Sequence, residues 1–278
     1  MDKINLSENK IKTYTILGLA SILSGLVLLI ENFLNTSWLL YLLPVGVGGV
    51  LMYCGIKYKQ WFYHLFGWMF FLCGLGSVYI IQSDLKVIST LGLIFILFGI
   101  SWLGFFITSY FFSKNILFWA VLPFYNFTSL GAVFLFSRLR FLDFMFFIGF
   151  GIAMSLLSAG LYWKLFGLII PGSLLAGIVP GIYFPWQQTT NTNPLLQTGV
   201  MLVWFALGWG LITVFSRVQT QSFVWWPLIP GGILAMVGWG LYIGGSPENA
   251  VGFIGNTGSI ALIIFGIYIL LMKRGLHR

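Results

Sequence analysis

The sequence predicts an all-α polytopic transmembrane helix bundle, about ten helices in degenerate helical-hairpin repeats. Three observations predict it. Of 278 residues, 59% are hydrophobic and 7% charged, against about 25% charged in a water-soluble domain. The mean hydropathy is +0.97. The apolar residues come in runs of roughly 20, the length a helix needs to cross a hydrocarbon core about 30 Å thick.

The first run, near 13–32, follows the polar segment MDKINLSENKIK. It lacks an A-x-A-like exit, so it reads as a retained anchor and not as a cleaved signal. Runs near 37–56 and 61–82 flank a basic turn containing Lys57 and Lys59. Lys86 and Lys114 precede runs near 87–110 and 115–136. Five more follow near 142–163, 166–184, 196–216, 223–243 and 253–272, and the longest polar connection is PWQQTTNTNP, 185–194. This assigns 1–12 to an N-terminal tail, 13–272 to the transmembrane domain and 273–278 to a C-terminal tail. Such short connections leave no room for a soluble domain. Trp38, Trp61, Trp119, Trp163, Trp186, Trp225 and Trp226 fall near run ends, where amphipathic rings mark the membrane–water boundary. Trp102, Trp204, Trp209 and Trp239 lie deeper, as residues packed between helices do.

Lysine and arginine set the orientation. With the N-terminus inside, the inner segments hold Lys3, Lys10, Lys12, Lys57, Lys59, Lys114, Lys164, Arg217, Lys273, Arg274 and Arg278. The outer segments hold Lys86, Arg138 and Arg140. Both termini are therefore expected in the cytoplasm, with the chain in a bacterial plasma membrane. Arg138 and Arg140 oppose the trend, and Asp143 partly offsets them. The net charge of +8 is scattered singly between apolar runs, which argues for orientation and against a nucleic-acid partner. Cys54 and Cys73 lie in apolar runs without a CxxC pair and read as small core hydrophobes.

Four runs carry a proline preceded by apolar residues: Pro44, Pro123, Pro171 and Pro230. Proline removes a backbone donor and crowds the carbonyl four residues earlier, so each is a candidate helix kink. Gly172, Leu175, Ala176, Gly181 and Tyr183 follow Pro171 at the spacings at which Gly231, Leu234, Ala235, Gly240 and Tyr242 follow Pro230. Trp119 and Trp226 each precede their proline by four residues. The pattern is that of a duplicated hairpin. Gly231, Ala235 and Gly238 form one small-residue stripe, which lets helix backbones approach closely in lipid.

The first hairpin, GLASILSGLVLLIENFLNTSWLLYLLPVGVGGVLMYCG, resembles the LiaI/LiaF-type transmembrane region of bacterial envelope-stress proteins. They share a glycine-punctuated hairpin with an acidic or Asn turn. The resemblance implies a helical hairpin and a place in envelope homeostasis, and it brings no catalytic residue. It does not extend to the soluble C-terminal domain of the LiaF type, so no role in sensor-kinase regulation comes with it.

Chemistry is sparse. The six acids are Asp2, Glu8, Glu31, Asp84, Asp143 and Glu248, all in the tail, in loops or at run ends. Ionisable groups at mid-membrane depth mark ion paths and proton relays, and none is expected here. His64 sits one turn into the third run and reads as interfacial and solvated, while His277 lies in the tail. No zinc set, nucleophile triad or phosphate loop can be assembled, so neither metal, cofactor nor enzyme activity is expected. One polar cluster stands out, Tyr125, Asn126, Thr128 and Ser129 in FYNFTSLG. It suits either interhelical hydrogen bonding or the lining of a small polar cavity.

These readings make the protein a membrane component without catalytic machinery, structural or accessory in role, with a permease for a small neutral or apolar solute as the alternative. The lipid bilayer is the first partner; a membrane-protein partner or a second copy could be another. Alkaline carbonate should leave the intact chain in the lipid pellet; recovery in the supernatant without detergent would contradict the membrane assignment.

Overall fold

A computed structural model describes residues 14–15, 18–19, 21–22, 24–33, 38–83, 85–113, 117–136, 140–187, 193–220, 224–245 and 250–275. Among them there are helices and brief turns and no strand. The helices are α1 (Ser24–Phe33), α2 (Trp38–Lys57), α3 (Trp61–Gln82), α4 (Val87–Ser113), α5 (Val121–Phe136), α6 (Phe141–Tyr162), α7 (Phe166–Trp186), α8 (Pro194–Thr220), α9 (Leu228–Gly245) and α10 (Ala250–Gly275). A 3-10 turn, Phe118–Ala120, leads into α5. Hydrocarbon cannot hydrogen-bond a peptide group, and a helix satisfies all of its own. Seven described helices, α3 to α9, are long and apolar enough to cross a membrane. The described apolar parts of α1, α2 and α10 are shorter. Large apolar side chains stand exposed, among them Val251, Met236 and Leu262, as on a surface solvated by lipid. The chain is an all-α integral membrane bundle.

It divides into two compact units, Met1–Ala120 and Val121–Arg278. In the first, α3 packs against both α2 and α4. In the second, α5 to α9 pack each against the next, and α10 lies against α8.

Glycines decide where these helices meet. A Cβ on Gly67 would stand 2.5 Å from the Met52 backbone nitrogen, and Gly48 is as tightly seated on Phe71. On α3, Gly74 presses on Val45. Gly48 and Gly55 on α2, and Gly67 and Gly74 on α3, are each seven residues apart, so each pair keeps one face. The second unit repeats the device. A Cβ on Gly177 would meet the Gly208 Cα at 2.7 Å, and one on Gly199 the Gly238 carbonyl at 2.7 Å. Gly231, Gly238 and Gly245 on α9 all face α8, against Trp209, Val203 and Leu196. Ala235, the middle member of the expected stripe, is half-buried.

Two corners are closed without glycine. Past α2, Lys59 takes φ 54°, and the Gln60 N–H reaches back to the Gly55 carbonyl at 3.0 Å. This is the six-to-one bond of a Schellman cap. Past α6, Lys164 takes φ 55° and the Leu165 N–H bonds the Gly160 carbonyl at 3.0 Å.

The four prolines fall in two places. Pro44 lies inside α2, and Pro171 inside α7 with Pro180 and Pro185. Pro123 and Pro230 each stand third in their helix, α5 and α9. There proline has no intrahelical bond to remove, and its fixed φ suits a helix start. The WWPLIP segment therefore opens a helix and does not interrupt one, so α9 begins five residues later than the apolar run. Arg138 lies outside the described residues. Arg140 is the N-cap of α6, with extended φ −77° and ψ 150°.

Gly177→Ala forces two backbones apart and should cost about 1–3 kcal/mol. Gly232→Ala meets nothing within 4 Å and should gain up to about 1 kcal/mol of helix propensity. Thermal unfolding in detergent separates the two; equal shifts would remove the role given to buried glycine.

Candidate functional site

The polar cluster lies on α5, in the second unit. The Asn126 side-chain amide donates to the Leu122 carbonyl at 2.8 Å and to Ser155 Oγ on α6 at 3.1 Å. Both of its hydrogens are thereby used. Ser129 Oγ donates to the Asn126 carbonyl at 2.9 Å and sits tightly against Gly151 of α6. Thr128 Oγ1 donates to the Phe124 carbonyl at 2.6 Å. The Tyr125 ring lies 5.1 Å from that of Phe124. So α6 receives Asn126 and Ser129, while the Thr128 hydroxyl bonds its own helix. Asn126 is exposed; Tyr125, Thr128 and Ser129 are half-buried.

A second polar group was not legible in the sequence. Asp143, in the first turn of α6, is 6% exposed and is hydrogen-bonded to Tyr183 of α7. The Gln187 amide donates to Tyr183 Oη at 3.0 Å, and the Phe146 ring stacks on Tyr183 at 4.2 Å. A phenol that accepts from Gln187 has its proton left for the carboxylate, so the three form a directed chain. The start of α6 suits a negative charge because its peptide dipoles point positive there. Nearby, the Gln197 amide of α8 donates to the Pro185 carbonyl at 3.1 Å.

The third group lies in the first unit and revises the expected solvated histidine. His64 is 4% exposed. Its Nε2 lies 2.6 Å from Thr108 Oγ1 of α4, and its ring meets Phe105 edge-on at 5.3 Å. Trp68 Nε1 donates to the same Thr108 oxygen at 3.0 Å. Gly55 makes the burial possible, since any Cβ there would collide with the His64 backbone. Leu65, Phe105 and Ala120 form the adjoining core, with Trp102 and Trp119 packed on it. Proximity in sequence could not reveal this site, because Thr108 is 44 residues from His64. Cys54 is buried as expected, whereas Cys73 is exposed.

Of the acids, Asp2, Glu8, Asp84 and Glu248 lie outside the described residues. Glu31 is 7% exposed. Among the described residues, its carboxylate oxygens, Ser173 Oγ, Thr213 Oγ1 and the indole nitrogens of Trp102 and Trp239 are buried without a hydrogen-bond partner. No group of three or more His, Cys, Asp or Glu placed to hold a metal ion occurs among them. Comparison of the chain with protein-family models, curated proteins and solved structures finds no match in any of the three.

Thr108→Val strands the Trp68 and His64 partners and should destabilise by about 1–3 kcal/mol. Asn126→Ala should cost only about 0.6–2 kcal/mol, the range for an interhelical bond in lipid. Unfolding midpoints in detergent check the order, and the reverse order would count against it.

Proposed function

We propose that the protein is a non-catalytic component of a bacterial plasma membrane, structural or accessory in envelope homeostasis, with both termini in the cytoplasm. One observation supports it most. The α5 polar side chains Asn126, Thr128 and Ser129 spend their hydrogens on helix carbonyls and on Ser155, as helix-binding groups do. The LiaI/LiaF-like first hairpin points the same way. So do the hairpin-like glycine seats between α2 and α3 and between α8 and α9.

A permease for a small neutral or apolar solute is the second reading. It is favoured by the exposed amide of Asn126 and by the Asp143–Tyr183–Gln187 chain, which runs from a buried carboxylate to an exposed amide.

Crosslinking in native membranes should recover one reproducible protein partner. Recovery of lipid alone, together with solute flux in proteoliposomes that falls on Asn126→Ala, would replace the accessory role with the permease.

A further inference from the structure

The two units share a set of contacts that recur at fixed offsets along the chain. From Lys59 to Lys164 the offset is 105 residues, and both have a backbone φ near 55° (54° and 55°). The bonds closing these corners, Gln60 to Gly55 and Leu165 to Gly160, have the same offset and the same 3.0 Å length. Gly55 packs on His64, nine residues on; Gly160 packs on Ile169, also nine on. Gly67 is seated on the Met52 backbone nitrogen, and Gly172 on that of Leu157. Gly76 meets Leu97 across α3 and α4; Gly181 meets Trp204 across α7 and α8.

On the next helix the offset becomes 107, as a slightly longer connection requires. Ser101 Oγ reaches the Trp68 carbonyl at 3.4 Å; a Cβ on Gly208 would meet the Ser173 carbonyl at 3.0 Å. Phe105 and Ile212 are both 0% exposed. Trp102 meets Trp119 edge-on at 5.4 Å and 71°, and Trp209 meets Trp226 at 5.9 Å and 79°. Glycine and tryptophan are common in membrane helices. A shared corner, a shared register and a shared ring pair in one order are not explained by composition.

We propose that α2–α4 with the following 3-10 turn, and α6–α8 with the entry to α9, are two copies of one packing unit, and that His64, Thr108 and Trp68 form a proton-accepting site built onto the first copy alone. At the equivalent places the second copy has Ile169, Phe215 and Ser173. Ile169 is 0% exposed, so an aliphatic side chain fills this seat and the shared packing does not call for an imidazole.

The hydrogens assign the tautomer. Trp68 Nε1 only donates, and the Gly104 carbonyl, 2.7 Å from Thr108 Oγ1, only accepts. The single Thr108 hydrogen goes to that carbonyl, so His64 donates from Nε2 and keeps its lone pair on Nδ1. Among the described residues no hydrogen bond to Nδ1 occurs. Among the described side chains, the titratable groups on the surrounding elements are Tyr53, Cys54 and Lys57 of α2, Tyr58 and Lys59 of the turn, Tyr63, Cys73 and Tyr79 of α3 and Tyr110 of α4. α2, α3 and α4 contain no Asp or Glu. A proton arriving at Nδ1 thus meets no carboxylate from α2, α3 or α4, and it must be felt by the edge-on Phe105 ring and by Trp68, which shares Thr108.

The test uses the full chain in detergent with His277→Gln, which leaves His64 as the one histidine. Nitrogen-15 spectra of labelled imidazole should show the Nε2–H tautomer at pH 8 and a reversible titration on acidification, with tryptophan fluorescence changing in step. An Nδ1–H tautomer, or no titration down to pH 4 in a chain that stays helical, would overturn the site. His64→Ile should keep the unfolding midpoint within about 4 °C of the parent, the scale of a 1 kcal/mol change; a larger fall would make the histidine a packing residue. Replacing Gly55–His64 with the ten residues of Gly160–Ile169 should also keep that midpoint. Loss of folding in this graft, with His64→Ile folded, would overturn the two copies.

Discussion

How closely two helix backbones can approach without side chains between them sets the rest of this structure. In water, burying apolar faces would draw the helices together. In lipid that drive is missing, because hydrocarbon chains solvate leucine as well as another helix does. What remains is dispersion between closely fitted surfaces, and each atom pair contributes only about 0.1–0.2 kcal/mol at optimal separation. Many pairs must therefore fit at once. Gly177 against Gly208, and Gly199 against Gly238, bring whole stretches of main chain within reach. The seven-residue spacing of Gly231, Gly238 and Gly245 carries that contact from one end of α9 to the other.

The same constraint explains what the sequence made legible. The bilayer demands a certain length, so span positions could be read directly, and α3 occupies Trp61–Gln82, as the apolar run predicted. Helix ends near proline were harder. WWPLIP is as apolar as the span that follows it, and hydropathy cannot separate a helix from the turn entering it. Contacts were the least legible. These helices are apolar on every side, so periodicity does not mark the inward face as it does in a soluble protein. Gly238 was recognised as part of a stripe, but nothing indicated that Gly199 would be its partner.

The polar residues illustrate the same limit. Asn126 and Ser129 could be picked out because they interrupt an apolar run. His64 could be seen too, yet its lysine neighbours in sequence suggested solvent. Its real surroundings, Thr108, Trp68 and Phe105, come from a helix 44 residues on and from the next turn of its own. Asp143 was read as a counter-charge at a span end. Its position was right, but its bond to Tyr183 depends on how α6 and α7 align.

The lysines at the two corners lead to a different matter. A side chain in the left-handed region costs roughly 1–2 kcal/mol relative to glycine, and glycine is plentiful in this chain, with 34 residues. Lys59 and Lys164 accept that strain at the tips of tight hairpins. During biosynthesis such a tip must either be threaded across the bilayer or held back, and an ammonium group resists threading. The strain accepted at these two tips thus keeps a translocation-resistant charge where glycine would have left none.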